Sequence, residues 1–208
     1  MRLDAEVLRD QALAVSQLLR RDIGGPSVKP YQPKGLWKVV AITGSNTKEF
    51  QQDSGGALYR RSLYTFWKRT SPPPSMAAFN APTREQCTVR RERTNTPLQA
   101  LVMMNDVQYV EAARHLAQWT LQHASDNSQR ASWMVRRALS RPASDQEVKE
   151  LASAASAFSA RFAENQEAVQ KLIAVGESSP DATLDPVELG AWTMVANTIM
   201  NTDEFINR

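Results

Sequence analysis

The sequence predicts a mainly α-helical protein, a helical bundle that carries a long proline-rich irregular insert. Apolar residues recur at helical spacing near the start of the chain and throughout its second half. Seven of the eleven prolines, by contrast, lie between Pro26 and Pro82, where no periodic pattern persists. We therefore expect a single α-helical domain over residues 1–208, with an irregular aromatic and basic segment at 26–96 and a helical bundle at 97–208.

The first helix is predicted between Leu3 and Arg21. Its apolar residues follow a helical period, and the stop signal Gly24-Gly25-Pro26 comes after it. The apolar face of this predicted helix consists of Leu8, Ala12, Val15, Leu18 and Leu19.

The irregular segment contains one longer stretch without glycine or proline, Leu58 to Arg69. We predict a short helix here that buries Leu58, Leu63, Phe66 and Trp67, although β-branched and aromatic residues also permit a strand. A connection this long is rare in a compact domain unless it is functional or has packing of its own. We expect aromatic side chains to pin it to the helical body. They are Tyr31, Trp37, Phe50, Tyr59, Tyr64, Phe66, Trp67 and Phe79.

The second half of the chain carries clear helix-start signals. Thr96-Pro97 and Asp185-Pro186 each place a capping side chain before proline, and Ser144 with Glu147 forms a capping-box pattern. Asn105-Asp106 is predicted to end one helix and to cap the next. The first of these predicted helices begins at Pro97, and the second runs from Asp106 to about Gln122. The remaining predicted helices cover Ser128–Ser140, Ser144–Ala163, Gln166–Val175 and Val187–Met200.

Basic side chains are concentrated between Leu58 and Asn95, where eight lysines and arginines face only two acidic residues. The densest part contains Arg90, Arg91 and Arg93, followed by Asn95. Guanidinium groups bind phosphate, sulfate and carboxylate groups bidentately, so these four residues are the candidate anion site. The alternative is a buried network with acidic residues of neighbouring helices, and the adjoining helix start and aromatic residues favour it. Asn95 is also a typical cap or turn residue.

No catalytic or metal-binding motif is present in the sequence. Cys87 is a candidate redox or reactive group because Arg84 and Arg90 lie near it in sequence, but a lone cysteine more often packs in a core. His115 and His123 are eight residues apart, about 12 Å along a helix, which is too far to chelate one metal. We expect both histidines to face solvent or an interface. The sequence predicts no cofactor for this chain.

The charge balance gives little support for nucleic-acid binding. The net charge is only +3, and the basic residues alternate with aromatic and apolar ones. No stretch reaches the roughly 18 apolar residues of a membrane span, and the first residues contain no apolar signal-peptide core. We therefore expect neither a nucleic-acid partner nor a membrane span.

Long sequence motifs extend over nearly the whole chain. They are Arg2–Glu6 with Arg9-Asp10, Ile23–Val28, Tyr31–Pro33 with Gly35–Trp37, Tyr59–Pro74, Cys87–Leu101, Asn105-Asp106, and the terminal Trp192 and Asp203–Phe205. In these motifs the chain resembles the C-terminal portion of the planctomycete-type PSD-one family, a domain of unknown function. The resemblance implies a fragment of a larger periplasmic or cell-surface protein. It also implies preceding domains, often a cytochrome c module, so that haem would belong to an upstream module.

Two hypotheses of function follow. The first is a non-catalytic helical scaffold or interaction domain, whose partners are the preceding domains of the parent protein or another protein. The second is an accessory domain of a carbohydrate-processing or cytochrome-linked electron-transfer system, in which the arginine cluster binds an anionic polysaccharide. Burial of Arg90, Arg91 and Arg93 against carboxylates would favour the first hypothesis. An open cleft lined by unpaired guanidinium groups would favour the second.

Overall fold

The structure, a computed structural model, describes residues 2–207. Over this range it contains ten α-helices, two short 3-10 turns and only isolated β-bridges. The prediction of a mainly α-helical fold is therefore confirmed. The helices are α1 (Ala5–Val15), α2 (Leu36–Val39), α3 (Pro74–Ala78), α4 (Pro97–Asn105), α5 (Val107–His123), α6 (Asn127–Leu139), α7 (Asp145–Glu164), α8 (Gln166–Ile173), α9 (Pro186–Met200) and α10 (Asp203–Ile206). The 3-10 turns are Gly55–Tyr59 and Ser62–Tyr64.

The helices of the second half begin where local capping chemistry places them. The Ser144 N–H donates to Glu147 Oε2 at 2.8 Å, and the Glu147 N–H donates to Ser144 Oγ at 3.3 Å, which completes the capping box of α7. Asp185 Oδ1 accepts the Glu188 N–H at 2.8 Å and caps α9 in the same way. Sequence-local hydrogen bonds therefore fix both helix starts.

Helices α5 and α9 form the centre of the bundle. Helix α9 also packs against α7 and α8, and α1 packs against α5. Helix α5 buries Ala112, Ala113 and Ala117, and small side chains of this kind let packed helix axes lie close together. The largest apolar side chains that are fully buried are Trp192, Phe205, Leu8, Leu13, Leu58, Met103, Leu116, Met134, Leu189 and Met200.

The first helix is shorter than predicted, ending at Val15 and not at Arg21. Gln17 adopts a left-handed conformation with φ of 65°, and the Leu18 N–H donates to Leu13 O at 2.9 Å. Arg137 of α6 donates from Nε to Val15 O at 2.7 Å and satisfies a carbonyl at this helix end. A residue more than 120 positions away therefore helps to end the helix.

The helix predicted at Leu58–Arg69 is wrong. This stretch forms the two 3-10 turns with extended chain between and after them. Its backbone groups bond to the chain before it: the Arg20 N–H donates to Tyr59 O at 2.9 Å, and the Val28 N–H donates to Tyr64 O at 2.8 Å. Leu63, predicted to be buried, is 66% exposed.

The aromatic residues of the irregular segment pack as expected at their centre. The buried Trp37 meets Phe50 edge-on, with ring centroids 5.1 Å apart, and lies 5.5 Å from Phe66. Phe79 is also buried, and the other six aromatic residues of the predicted set, Phe50 and Phe66 among them, are half-buried. The segment thus has a small aromatic core of its own beside the bundle.

Candidate functional site

Arg9 of α1 is the main polar attachment of the irregular segment. Its guanidinium group donates to Leu58 O at 2.7 Å, Arg60 O at 2.8 Å and Ser62 Oγ at 3.1 Å, and it also bonds Gln108 of α5. The side chain is almost fully buried, and this burial lowers the pKa of Arg9, partly opposed by the nearby Asp10. One arginine thus satisfies several acceptors of a stretch whose regular structure is limited to two short 3-10 turns.

Arg60 extends this attachment toward the start of the irregular segment. It donates to Pro26 O at 2.9 Å, to Asp22 O at 3.3 Å and to Gly24 O. Its guanidinium carbon also lies 4.0 Å from the centroid of the Tyr64 ring, within range of a cation–π interaction. Residues 22–26 are therefore fixed by a side chain and not by a regular backbone ladder.

A second buried network joins the irregular segment to α5 and to the loop between α8 and α9. Glu111 Oε1 accepts from the Tyr59 hydroxyl at 2.9 Å and from the Ser178 N–H at 2.9 Å. Arg114 donates to Ser178 O at 2.6 Å. Burial and the neighbouring Arg114 lower the pKa of His115, which contacts Ser178 Oγ, to about 4. The imidazole is therefore neutral near pH 7.

This second network has the residue types of a hydrolase but not the arrangement. Ser178 Oγ donates its proton to Glu111, so the proton on the His115 ring is assigned to Nε2, which donates to the same oxygen. A serine whose proton is held by a carboxylate is not activated by the histidine as a nucleophile. The cluster acts as a polar tie between three parts of the chain.

The structure places Arg90, Arg91 and Arg93 in an exposed loop between α3 and α4. Arg91 donates to both carboxylate oxygens of Glu6, at 2.6 and 3.2 Å, and this bonding raises the pKa of Arg91. Arg90 and Arg93 are exposed and form no ion pair with any residue in the described range. Of the three, only Arg91 has the acidic partner that a structural role would require.

An open cavity of about 940 Å³ lies at this loop. All three arginines line it together with two acidic residues, so basic side chains outnumber acidic ones by one in the lining. The remaining lining residues are Asp4, Thr88, Val89, Glu92 and Thr94. The arrangement is suited to hold an anionic group by charge and by guanidinium hydrogen bonds.

Both ends of this loop are anchored. Thr94 Oγ1 accepts from Asn80 Nδ2 at 2.7 Å and from Gln99 Nε2 at 3.2 Å. At the other end the Arg84 guanidinium carbon lies 4.5 Å from the Trp67 ring, whose Nε1 donates to Thr83 O at 3.0 Å. The loop therefore has fixed ends and one central tie, at Arg91.

The other residues singled out in the sequence lie outside the lining of this cavity. Cys87 is exposed and does not pack in the core. Asn95 is exposed and lies outside the residues that line the cavity. His115 is half-buried in the Glu111 network and does not face solvent, whereas His123 is exposed and stacks on Trp119. The roles predicted for Asn95 in anion binding and for Cys87 as a reactive group therefore stay predictions.

Sequence reasoning missed the buried arginines Arg9, Arg60 and Arg114 and the buried Glu111. A signal was present in helix α5, where Glu111 and Arg114 interrupt an alanine-rich face three residues apart. Charged residues within such a face are rarely fully buried unless they are paired. Over residues 2–207 there is no group of three metal-ligating side chains and no helix long and apolar enough to cross a membrane.

Comparison with known proteins identifies a family for this chain but no activity. Residues 1–155 match the family PSD1, described as protein of unknown function (DUF1553), and the chain belongs to that family. The resemblance inferred from the sequence motifs is confirmed over those residues. No curated protein and no solved structure matches the chain.

Proposed function

We propose that this chain is a non-catalytic helical scaffold that binds a partner through the open cavity at Arg90 and Arg93. The observation that carries the proposal is the contrast within one short run of arginines. Arg91 is committed to Glu6, whereas Arg90 and Arg93 line the same cavity without an acidic partner among the described residues. Guanidinium groups without an ion-pair partner, on a loop that is otherwise anchored, are available to bind an anionic ligand.

The anchoring of the loop supports a binding role. A loop fixed at Thr94, Arg91 and Arg84 loses less conformational freedom on binding than a flexible one, so more of the contact energy appears as affinity. Arg90 and Arg93 are also exposed, so an anionic group of a partner can contact them directly. Partners with carboxylate, sulfate or phosphate groups fit this wall best, and an acidic surface of a preceding domain or of a separate protein would supply them.

The setting of this function is part of the proposal. The resemblance to the planctomycete-type family supports a periplasmic or cell-surface protein in which other domains precede this one. A haem group, where such a protein has one, would then lie in an upstream cytochrome c module. In this proposal the helical domain holds the cavity lined by Arg90, Arg91 and Arg93 in a fixed position, where a partner can bind it.

A second candidate is an accessory domain that binds an anionic polysaccharide. The arrangement expected for this candidate, an open cleft lined by unpaired guanidinium groups, is present at Arg90 and Arg93, which form no ion pair among the described residues. The size of the cavity favours it, since about 940 Å³ is at the upper end of the range for small-ligand sites and exceeds the needs of a single ion. Threonine hydroxyls at Thr88 and Thr94 lie on the same wall. Sugar rings with carboxylate or sulfate groups would use both the guanidinium groups and these hydroxyls.

Binding to two panels of anionic ligands tests the proposal and separates its two candidates. One panel holds glutamate-rich peptides, and the other holds sulfated and carboxylated glycans, each at low and high salt. We expect the double variant Arg90→Ala/Arg93→Ala to bind about ten-fold more weakly, the scale of two partly exposed charge-assisted contacts. Because exposed charges are screened, the wild type should also lose affinity at high salt.

The matched control is Arg136→Ala, which removes an exposed arginine of α6 far from the loop in sequence. It should bind as the wild type does, and circular dichroism should show all variants folded. Binding to peptides alone supports the scaffold, and binding to glycans alone supports the polysaccharide candidate. Equal losses in the double variant and the control, or no binding to either panel, would contradict an anion site at this loop.

A further inference from the structure

A small apolar cavity of about 340 Å³ lies at the corner between α7, α8 and α9. Two aromatic rings, Phe158 and Phe162 of α7, form one wall, and Leu172 of α8 and Met194 of α9 lie on the other sides. Most of its exposed lining is apolar, and its size lies within the range of small-molecule sites. The corner follows the residues matched to the family, which end at 155.

Local chemistry fixes the shape of this corner. Asn165 separates α7 from α8, and its Oδ1 accepts the Ala168 N–H at 3.0 Å and caps the second helix. Gly190 of α9 faces Val169 and Phe162, and a Cβ at this position would lie under 3.0 Å from Val169. Because Gly190 has no side chain, α8 can approach α9 closely, and Phe162 can pack against Gly190 at the edge of the cavity.

The two polar residues that line the cavity both offer hydrogen-bond donors. Arg161 is exposed and belongs to no ion pair in residues 2–207, although Glu164 follows it on the same helix. The amide nitrogen of Asn165 donates to no group in the same range, because only its oxygen is used in the cap. The nearby Glu167 is engaged by Lys171. The lining therefore presents one positive charge and one neutral donor beside an apolar floor.

We propose that this corner binds a free medium-chain carboxylate, with the hydrocarbon chain against Phe158, Phe162, Leu172 and Met194. The carboxylate would bond to Arg161 and Asn165. The apolar floor gains from burying methylene groups, and guanidinium is the preferred partner of a carboxylate. A bulky or strongly polar ligand does not suit a cavity of this size with so little polar lining. The inference concerns a site separate from the arginine loop and does not rest on the proposed function.

Calorimetric titration of the full chain with octanoate and decanoate tests this site. We expect one site per chain and an affinity that falls about four-fold for each methylene removed, the ratio that corresponds to about 0.8 kcal/mol per buried methylene. Octanol should bind about ten-fold more weakly than octanoate, because it lacks the charge, and octyltrimethylammonium should not bind. All titrations stay below the concentration at which the ligand forms micelles.

Two variants and one control make the test specific. Arg161→Ala removes an exposed charge and should fold normally, yet bind octanoate about ten-fold more weakly while binding octanol as the wild type does. Ala168→Phe should fill the cavity and abolish binding of both ligands. Arg136→Ala, an exposed arginine on α6, should change neither.

Three results would overturn the inference. The first is equal affinity of octanoate and octanol in the wild type, which would leave Arg161 without a role. The second is octanoate binding that is unchanged in Arg161→Ala. The third is tighter binding of a peptide that ends in an apolar residue and a free carboxylate, which would assign the corner to a protein C-terminus.

Discussion

Replacing Arg9 by methionine is expected to destabilise the domain by about 3–5 kcal/mol, because three buried acceptors lose their donor. The substitution keeps the apolar bulk of the side chain but removes all its donors. The carbonyl oxygens of Leu58 and Arg60 and the Ser62 hydroxyl would lose a buried partner, and each unsatisfied group costs about 1–3 kcal/mol. Urea denaturation followed by circular dichroism measures the change in the free energy of unfolding.

The neighbouring Arg61 provides the control for Arg9. It lies 3.8 Å from Asp10, as Arg9 does, but its side chain is half exposed. Arg61→Met should therefore cost no more than about 1 kcal/mol. Arg9→Lys should also be strongly destabilising, because lysine keeps the charge without the planar fork that reaches several acceptors. A cost for Arg9→Met as small as that for Arg61→Met would show that these contacts do not hold the irregular segment.

Substitution of Gly176 by alanine is expected to destabilise the domain by about 2–4 kcal/mol, through strain and overlap together. Gly176 has φ of 97°, and a Cβ there would lie under 3.0 Å from the side chain of Glu111. That carboxylate accepts from Tyr59 and Ser178, so it cannot move aside without breaking the network. Thermal and urea unfolding would both report the loss.

The variant Gly44→Ala distinguishes the cost of backbone strain from the cost of steric overlap in Gly176→Ala. It also has a positive φ, 83°, but no atom lies within 4 Å of a Cβ built on it. Gly44→Ala should therefore show only the backbone cost, about 1 kcal/mol. If the two alanine variants lost the same stability, the close contact between Gly176 and Glu111 would not contribute to folding.

The parts of the fold that the sequence predicts well are those fixed by local chemistry. Ser144 bonds to Glu147 and Asp185 bonds to Glu188 at two helix starts, and in each pair the bonded residues are only three positions apart. The end of α1 is different. Arg137, more than 120 residues away, satisfies one of its carbonyl groups, and the helical period through Leu18 and Leu19 continues past it. A pattern within one segment cannot register a cap that comes from another helix.

The same limit applies to the candidate site. The sequence identifies the arginine-rich loop from composition, and the structure places Arg90, Arg91 and Arg93 around one cavity. The sequence does not distinguish Arg91, which forms an ion pair, from Arg90 and Arg93, because its partner Glu6 lies 85 residues away. The predicted helix at Leu58–Arg69 fails for a related reason. Its backbone bonds to Arg20 and Val28, and this non-local pairing outweighs the local helical pattern.

Hydrogen exchange of three amides tests most directly whether the irregular segment is a fixed part of the domain. The N–H groups of Arg20, Val28 and Phe66 donate to Tyr59 O, Tyr64 O and Val28 O at 2.7–2.9 Å. We expect each to exchange at least about a hundred-fold more slowly than in an unstructured chain. Exchange of all three at the unstructured rate would mean a flexible linker, and the arginine loop would then lack the rigid support on which its proposed binding role depends.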